Sequence, residues 1–321
     1  TRQKAMARTD DPEYLKAVDE WQTQIDTIVA RHQITNGGGK VIAFQIENEL
    51  GDTSPSRQRY MQHLADKARA DGITVPLFHN SASRLPNWTP RDSSAPWAVP
   101  GPTDLYAFDG YPGGGCTGTR DPGKPNIVPN WGMYGDTAPA KDGIVKAGAL
   151  ASPNTPGFAA EIGGGWFDFW GSPGTYDCTA KRLGPAYVRT AYGSSLINGL
   201  TIHSVYMAYG GTSWGWEPAS VVYTSYDYGS GIDEARGIRD KQLTFKQLGQ
   251  FAQAAAPLLT DLDKGPVLQS DNPKVKLYHD VGAKGEGDLI FAIHDPSNAV
   301  TDDAFGFDLT KIGRAACRRR V

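Results

Sequence analysis

Short apolar runs alternate along the chain with segments in which apolar residues recur at helical spacing. Each run has the length of a strand buried on both faces and is bounded by glycine, proline or polar residues. The runs predict strands at 41–46, 73–78, 105–108, 157–162 and 201–208. The helical pattern predicts helices that begin near Pro12, Pro55, Ala180 and Lys241. Strands that alternate with helices indicate a parallel β/α architecture, as in a (β/α)₈ barrel.

The pattern changes near Val267. Residues 275–279 and 288–293 form short apolar runs with polar turns between them, which is typical of antiparallel strands. We therefore predict an α/β chain: residues 1–262 form a partial (β/α)₈ catalytic barrel with about five strands. Residues 263–321 begin a β-rich domain. The basic run at the end of the chain receives no function.

Composition excludes several classes of protein. The 321 residues are 39% hydrophobic and 10% aromatic, with 38 glycines, which indicates a globular, loop-rich chain rather than a disordered one. A net charge of -3 provides no electrostatic footprint for nucleic acid or an anionic membrane. No apolar stretch approaches the length of a membrane span. We expect neither nucleic acid nor membrane as a partner.

Familiar cofactor and metal motifs fail. Gly37–Val41 contains a glycine run and a lysine, but the hydroxyl residue of a phosphate loop is absent and a strand follows. The six histidines lie far apart, and no cysteine or histidine cluster has metal spacing. We expect no metal and no organic cofactor.

Cysteines and a glycosylation motif bear on the cell compartment. Cys116, Cys178 and Cys317 permit one disulfide with one thiol left over, or none. Asn87 begins an Asn-Trp-Thr triplet, a candidate N-glycosylation site. The N-terminus contains no apolar signal segment. On these residues alone, secretion stays open.

Carboxylates at strand ends are the strongest chemical signal. Glu47, Asn48 and Glu49 come where one apolar run stops, and Glu161 comes at the end of another. Such a glutamate can be a structural ion-pair or core residue, because a lone buried carboxylate is costly. Two such sites, each followed by a glycine- and tryptophan-rich loop, favour a sugar site with a catalytic carboxylate pair.

Five segments, in order, resemble the family 35 β-galactosidases of the fungal secreted type. Their order and spacing agree with that family from about Arg8 to Asp295. The segments are Val41–Glu49, Asp109–Pro112, Glu161–Gly171, Tyr206–Gly215 and Thr224–Gly229. The resemblance implies a retaining, exo-acting β-galactosidase that releases terminal non-reducing β-D-galactose through a covalent intermediate.

The resemblance also implies roles for individual residues. Glu49 would be the general acid/base and Glu161 the nucleophile. Asn48 would hold the sugar 2-hydroxyl, Tyr111 would steady the nucleophile or the sugar, and Tyr228 would line the galactose pocket. Core packing is the alternative for both tyrosines. Since neighbouring residues of a regular strand alternate in direction, Asn48 and Glu49 can both reach substrate only if the strand end is irregular.

Further expectations rest on the same resemblance. It implies a disulfide between Cys116 and Cys178, a secreted, extracellular glycoprotein, and a monomer in the full-length form. It also implies three barrel strands ahead of the first helix and further β domains. Without them the isolated chain is expected to be inactive. A related retaining glycosidase resembling exo-β-glucosaminidase, an inactive galactoside-binding fragment and the product of a faulty gene model are the alternatives.

Overall fold

The computed structural model describes residues 6–82, 87–95, 98–111, 116, 152, 154–169, 176–218, 223–282, 284, 287–297 and 299–308. The basic tail and Cys317 lie outside the described residues. The chain divides into two compact units, which we call unit 1 and unit 2. Unit 1 is Thr1–Gly110 with Met133–Ala160, and unit 2 is Tyr111–Gly132 with Glu161–Val321.

Unit 1 is built from parallel strands and two long helices. Strand β1 (Phe44–Asn48) pairs in parallel with β2 (Leu77–Ser81), and β2 pairs in parallel with β5 (Leu105–Gly110). Residues 157–160 of β6 also belong to this unit, where Phe158 packs on Phe78 with ring centroids 4.8 Å apart. Its elements are α1 Pro12–Ala30, β1 Phe44–Asn48, α2 Pro55–Ala70, β2 Leu77–Ser81, β3 Asn87–Thr89, β4 Val99–Pro100, β5 Leu105–Gly110 and β6 Gly157–Gly163.

Helix α1 begins where the sequence predicts. The Asp11 side chain accepts hydrogen bonds from the backbone N–H groups of Glu13 and Tyr14, and Pro12 occupies the first turn. Helix α2 buries Tyr60, Met61 and Leu64 in one apolar cluster with Leu50 and Trp88. This cluster therefore includes Leu50, the residue that follows Glu49.

Two strands begin later than their apolar runs predict. Strand β1 starts at Phe44, because Val41 pairs instead with Gln33 in an isolated bridge. Strand β2 starts at Leu77, although Ile73 and Val75 are buried. The carbonyl groups of Ile73 and Val75 accept from the Arg69 guanidinium, and the Val75 N–H donates to Gln33. Ile73 and Val75 are therefore buried without belonging to the hydrogen-bonded strand β2.

Unit 2 contains the end of β6, then helices, one further strand of the β/α part and a small sheet. In this unit β7 (Leu200–Tyr206) is the neighbour of β6. The helix predicted to begin near Ala180 is two helices, because Gly184 has an extended backbone and Pro185 starts a new first turn. The elements are α3 Tyr176–Arg182, α4 Pro185–Ile197, β7 Leu200–Tyr206, α5 Asp240–Ala254, α6 Ala256–Leu259, β8 Leu262–Lys264, β9 Val275–Gly282 and β10 Asp288–His294.

Strands β8, β9 and β10 form an antiparallel sheet in the order β10-β9-β8. Leu268, Val275 and Leu277 form its buried cluster. The predicted fold class, part of a (β/α)₈ barrel followed by the start of an all-β domain, is confirmed. The predicted domain boundary between residues 262 and 263 stays a prediction.

Candidate active site

Glu49 belongs to unit 1 and Glu161 to unit 2. Strand β1, which leads to Glu49, is irregular at its end. Gln45 pairs with Phe78 and Glu47 with His79, so the register slips by one residue between them. Glu49 itself has φ 51, in the left-handed region, and its N–H donates to the Asn80 carbonyl at 2.8 Å. The strand is therefore irregular at Glu49, which is the condition under which Asn48 and Glu49 can both reach a substrate.

Asn48 is exposed and held in one orientation by two amides. Its Oδ1 accepts from Gln45 Nε2 and from Asn80 Nδ2, both at 2.9 Å. With the carbonyl side occupied, the Nδ2 group of Asn48 is directed away from these partners. An amide in this state can donate to a hydroxyl group of a ligand.

Glu47 is the structural glutamate of this motif. Arg8 binds both of its carboxylate oxygens, at 2.6 and 2.7 Å, and also donates to the Asn48 carbonyl. The Glu47 side chain is 7% exposed, whereas Glu49 is an exposed residue. The hydrogen bond between Arg8 and Glu47 also raises the pKa of Arg8. The ion-pair interpretation therefore applies to Glu47 and leaves Glu49 available for chemistry.

Two buried side chains hold the backbone just after Glu49. The Leu50 N–H donates to His79 Nε2 at 2.9 Å, and Trp88 Nε1 donates to the Leu50 carbonyl at 2.6 Å. Burial lowers the pKa of His79 to about 3, so the ring stays neutral and Nε2 stays an acceptor. The sequence analysis missed both roles, because no local motif indicates them.

Asn87 is half-buried in β3, and its Nδ2 donates to the Gly51 carbonyl at 3.2 Å. Its glycosylation stays a prediction.

In unit 2, Tyr111 contacts Glu161 directly. The Tyr111 hydroxyl donates a hydrogen bond to Glu161 Oε2. The Tyr111 ring packs edge-on against Trp166, with centroids 5.1 Å apart, and against Tyr206, at 6.0 Å. The structure therefore places one sequence-predicted residue on the carboxylate of the other.

Tyr228 lies in an aromatic cluster beside this pair. It is fully buried, its ring meets Phe167 at 5.0 Å and Tyr206 at 5.4 Å, and it stacks on Tyr226 at 5.9 Å. Burial, followed by the neighbouring Tyr206, raises the pKa of Tyr228 above its ordinary value, so its hydroxyl stays protonated. Tyr228 thus packs as an aromatic wall, as both predicted interpretations allow.

The loop after β6 touches the loop that carries Tyr228 through backbone atoms. The Trp166 N–H donates to the Tyr228 carbonyl at 2.8 Å. A Cβ added at Gly165 would lie 1.8 Å from that same oxygen, so no larger residue fits there. Tyr228 itself has φ 65. The glycine run after Glu161 therefore serves close backbone contact.

Cys116 and Cys178 form a disulfide, with Cα atoms 5.9 Å apart. The pairing implied by the family resemblance is confirmed. It joins the segment after Tyr111 to helix α3 within unit 2.

Parallel β/α strands that end in glutamates, with a tyrosine on one carboxylate and aromatic rings around it, are typical of glycoside hydrolases. The chain matches the sequence model of the glycosyl hydrolases family 35 over residues 1–252, and it belongs to that family.

Curated relatives carry galactosidase names. The chain is 34% identical to "Probable beta-galactosidase C" of Aspergillus flavus over 263 aligned residues. The aligned region is 80% of this chain and 25% of the relative. It is 37% identical to "Probable beta-galactosidase A" of Aspergillus fumigatus over 257 aligned residues. The aligned region is 78% of this chain and 24% of the relative. The chain thus spans about a quarter of the length of the curated relatives it matches. Among the described helices, none has the length and apolar character that a membrane span requires.

Proposed function

We propose that the protein is a retaining, exo-acting β-galactosidase that hydrolyses terminal non-reducing β-D-galactose. The observation that carries the proposal is the hydrogen bond from Tyr111 to Glu161, the predicted nucleophile. A hydroxyl that donates to a carboxylate stabilises its ionised form and fixes its rotamer. An ionised, oriented carboxylate is what attack on an anomeric carbon requires. Family membership and the names of the relatives support the same substrate class.

The proposed reaction has two steps. Glu161 attacks the anomeric carbon while Glu49 donates a proton to the leaving glycosidic oxygen, which gives a covalent galactosyl ester on Glu161. Glu49 then removes a proton from water, and the water displaces Glu161 from the sugar. Two carboxyl groups and water balance both steps, so the proposed reaction requires no cofactor.

Two neighbours of the glutamates are proposed to bind the sugar. The Nδ2 group of Asn48, directed away from its two amide partners, would donate to the 2-hydroxyl. Such a contact strengthens as positive charge develops on the sugar ring. Tyr228 would line the pocket from within the aromatic cluster.

We also propose a secreted, extracellular glycoprotein that acts as a monomer on oligo- or polysaccharides with terminal galactose. The Cys116–Cys178 disulfide supports export, since disulfides persist in oxidising compartments. The 321-residue chain alone is proposed to be inactive, because it spans about a quarter of its relatives' length. Turnover of a β-galactoside by this chain alone, at rates typical of enzymes, would contradict that proposal.

A panel of nitrophenyl glycosides tests substrate class in the full-length protein. We expect hydrolysis of the β-galactoside and little turnover of the glucosaminide, the α-galactoside or the glucoside. Preferred cleavage of the glucosaminide would contradict the proposal and would identify the protein as a related glycosidase resembling exo-β-glucosaminidase. Binding of galactose without turnover of any member of the panel would make the protein a galactoside-binding one.

Two substitutions test the roles of the glutamates. Glu161→Gln should abolish turnover of every substrate. Glu49→Gln should spare the first step with good leaving groups, and azide should restore its second step. Glu47→Gln is the matched control from the same motif: it should lower stability, because Arg8 loses its partner, and leave the azide response at the wild-type level. If azide instead rescued Glu161→Gln and yielded no inverted product, the two assignments would be wrong.

A further inference from the structure

Lys241, in the first turn of α5, is buried with its ammonium group on two backbone carbonyls. The residue is 2% exposed, and its Nζ donates to the Gly164 carbonyl at 2.5 Å and to the Gly229 carbonyl at 2.7 Å. Burying a lysine is costly unless its donors are satisfied. A buried lysine usually pairs with a carboxylate, but Lys241 makes no ion pair with any described residue.

The two carbonyls belong to the two loops of the candidate site. Gly164 lies three residues after Glu161, and Gly229 directly follows Tyr228. These loops already meet where the Trp166 N–H donates to the Tyr228 carbonyl and where Gly165 leaves no room for a side chain. Lys241 adds a second connection between the same loops. Two connections define the relative position of the loops more tightly than one.

Lys241 keeps at least two N–H donors in either protonation state. Burial, then the nearby Arg239, lowers the pKa of Lys241 to about 7, while Asp227 opposes the shift. A neutral amine carries two N–H bonds, which match the two carbonyls. Asp227 is itself engaged by both Arg239 nitrogens, at 2.8 and 3.1 Å, and by the Gly229 N–H at 3.0 Å. Lys241 is thus held by hydrogen bonds to backbone carbonyls, while the nearby carboxylate of Asp227 binds Arg239 instead.

We propose that Lys241 is a positioning residue that sets the loop after Glu161 against the loop of Tyr228. It acts through backbone carbonyls and does not touch substrate. This inference rests on the proposed function for its kinetic part, and on geometry alone for its structural part.

The test compares Lys241→Met with Lys246→Met in the full-length protein. Methionine keeps most of the apolar stem of Lys241 and removes both donors, whereas Lys246 is exposed on the same helix. For Lys241→Met we expect kcat on nitrophenyl β-galactoside to fall by about 10- to 100-fold with a smaller change in KM, because misplacement of reacting groups acts on the chemical step. Hydrogen exchange in the 161–169 peptide should accelerate about tenfold. Lys246→Met should change neither.

A second control separates positioning from loss of stability. Thr244→Val alters another buried residue of α5 whose hydroxyl lies 3.4 Å from the Asp240 carbonyl of its own helix. We expect it to lower the melting temperature without lowering kcat. An equal loss of kcat in Thr244→Val and Lys241→Met, at equal melting temperatures, would overturn the proposal. If Lys241→Met does not fold, Lys241→Gln, which keeps two N–H donors on a shorter side chain, replaces it with an expected loss of about three- to tenfold.

The two readouts distinguish this inference from the proposed function. A wild-type protein that cleaves no glycoside would contradict the proposed function, while the exchange measurement would still test the connection between the loops. Wild-type kcat and wild-type exchange in the folded Lys241 variant would overturn the positioning role.

Discussion

Replacing Tyr111 with phenylalanine removes the hydroxyl group that donates to the candidate nucleophile and keeps the aromatic ring. The Tyr111 hydroxyl donates to Glu161 Oε2, while its ring packs on Trp166 and Tyr206. Phenylalanine keeps both ring contacts, so the fold should be preserved. A hydrogen bond to a charged group contributes about 1.5–3 kcal/mol. At 1.36 kcal/mol per factor of ten, its loss corresponds to a fall in kcat/KM of about 10- to 150-fold.

The assay is kcat/KM on nitrophenyl β-galactoside across pH, with the melting temperature measured in parallel. A hydrogen bond donated to a carboxylate stabilises its charged form. Its removal should therefore move the acidic limb of the pH–rate profile to higher pH, because the nucleophile must be ionised. Tyr226→Phe is the matched control, since the Tyr226 hydroxyl lies 2.7 Å from the Tyr206 hydroxyl. The control should leave the acidic limb where it is.

Two results would refute this reasoning. Wild-type kcat/KM in Tyr111→Phe would mean that the hydroxyl does not support the reacting carboxylate. Equal losses and equal pH shifts in Tyr111→Phe and Tyr226→Phe would mean that the aromatic cluster, and not the contact with Glu161, carries the effect.

Two further predictions concern stability. Burial, then the charge of Asp71, raises the pKa of Asp26 from 3.8 to about 6, so ionised Asp26 destabilises the fold above pH 6 and this penalty disappears as pH falls towards 4. Asp26→Asn should therefore raise the free energy of unfolding by on the order of 2 kcal/mol at pH 7 and by almost nothing at pH 4, measured by urea unfolding; equal gains at both pH values would contradict it. Removal of the Cys116–Cys178 disulfide, whose sequence separation is 62, should cost about 4 kcal/mol. Cys116→Ser, Cys178→Ser and the double variant should share one lowered melting temperature, and an unchanged one would refute the estimate.

Local sequence was sufficient for features that depend on neighbours in the chain. Asp11 and Pro12 predict the start of α1 because a cap and its N–H partners lie within three residues. The condition that the strand end must be irregular if Asn48 and Glu49 are both to reach substrate also follows from the alternation of side chains along one strand. The left-handed backbone of Glu49, with φ 51, provides that irregularity. The two cysteines and the order of five motifs indicated the family and the disulfide, through resemblance rather than through physics.

Tertiary structure decided what depends on distant partners. Glu47 and Glu49 lie two residues apart in one motif. Only the fold shows that Arg8, 39 residues away, forms an ion pair with Glu47. Likewise, Ile73 and Val75 are buried as predicted, but their carbonyl groups accept from Arg69 and the Val75 N–H donates to Gln33.

Lys241 is the clearest case, because its acceptor at Gly164 lies 77 residues away. The spacing of apolar residues along the chain predicts which residues are buried. The partner of a buried polar group, in contrast, is set by the packing of whole helices and strands.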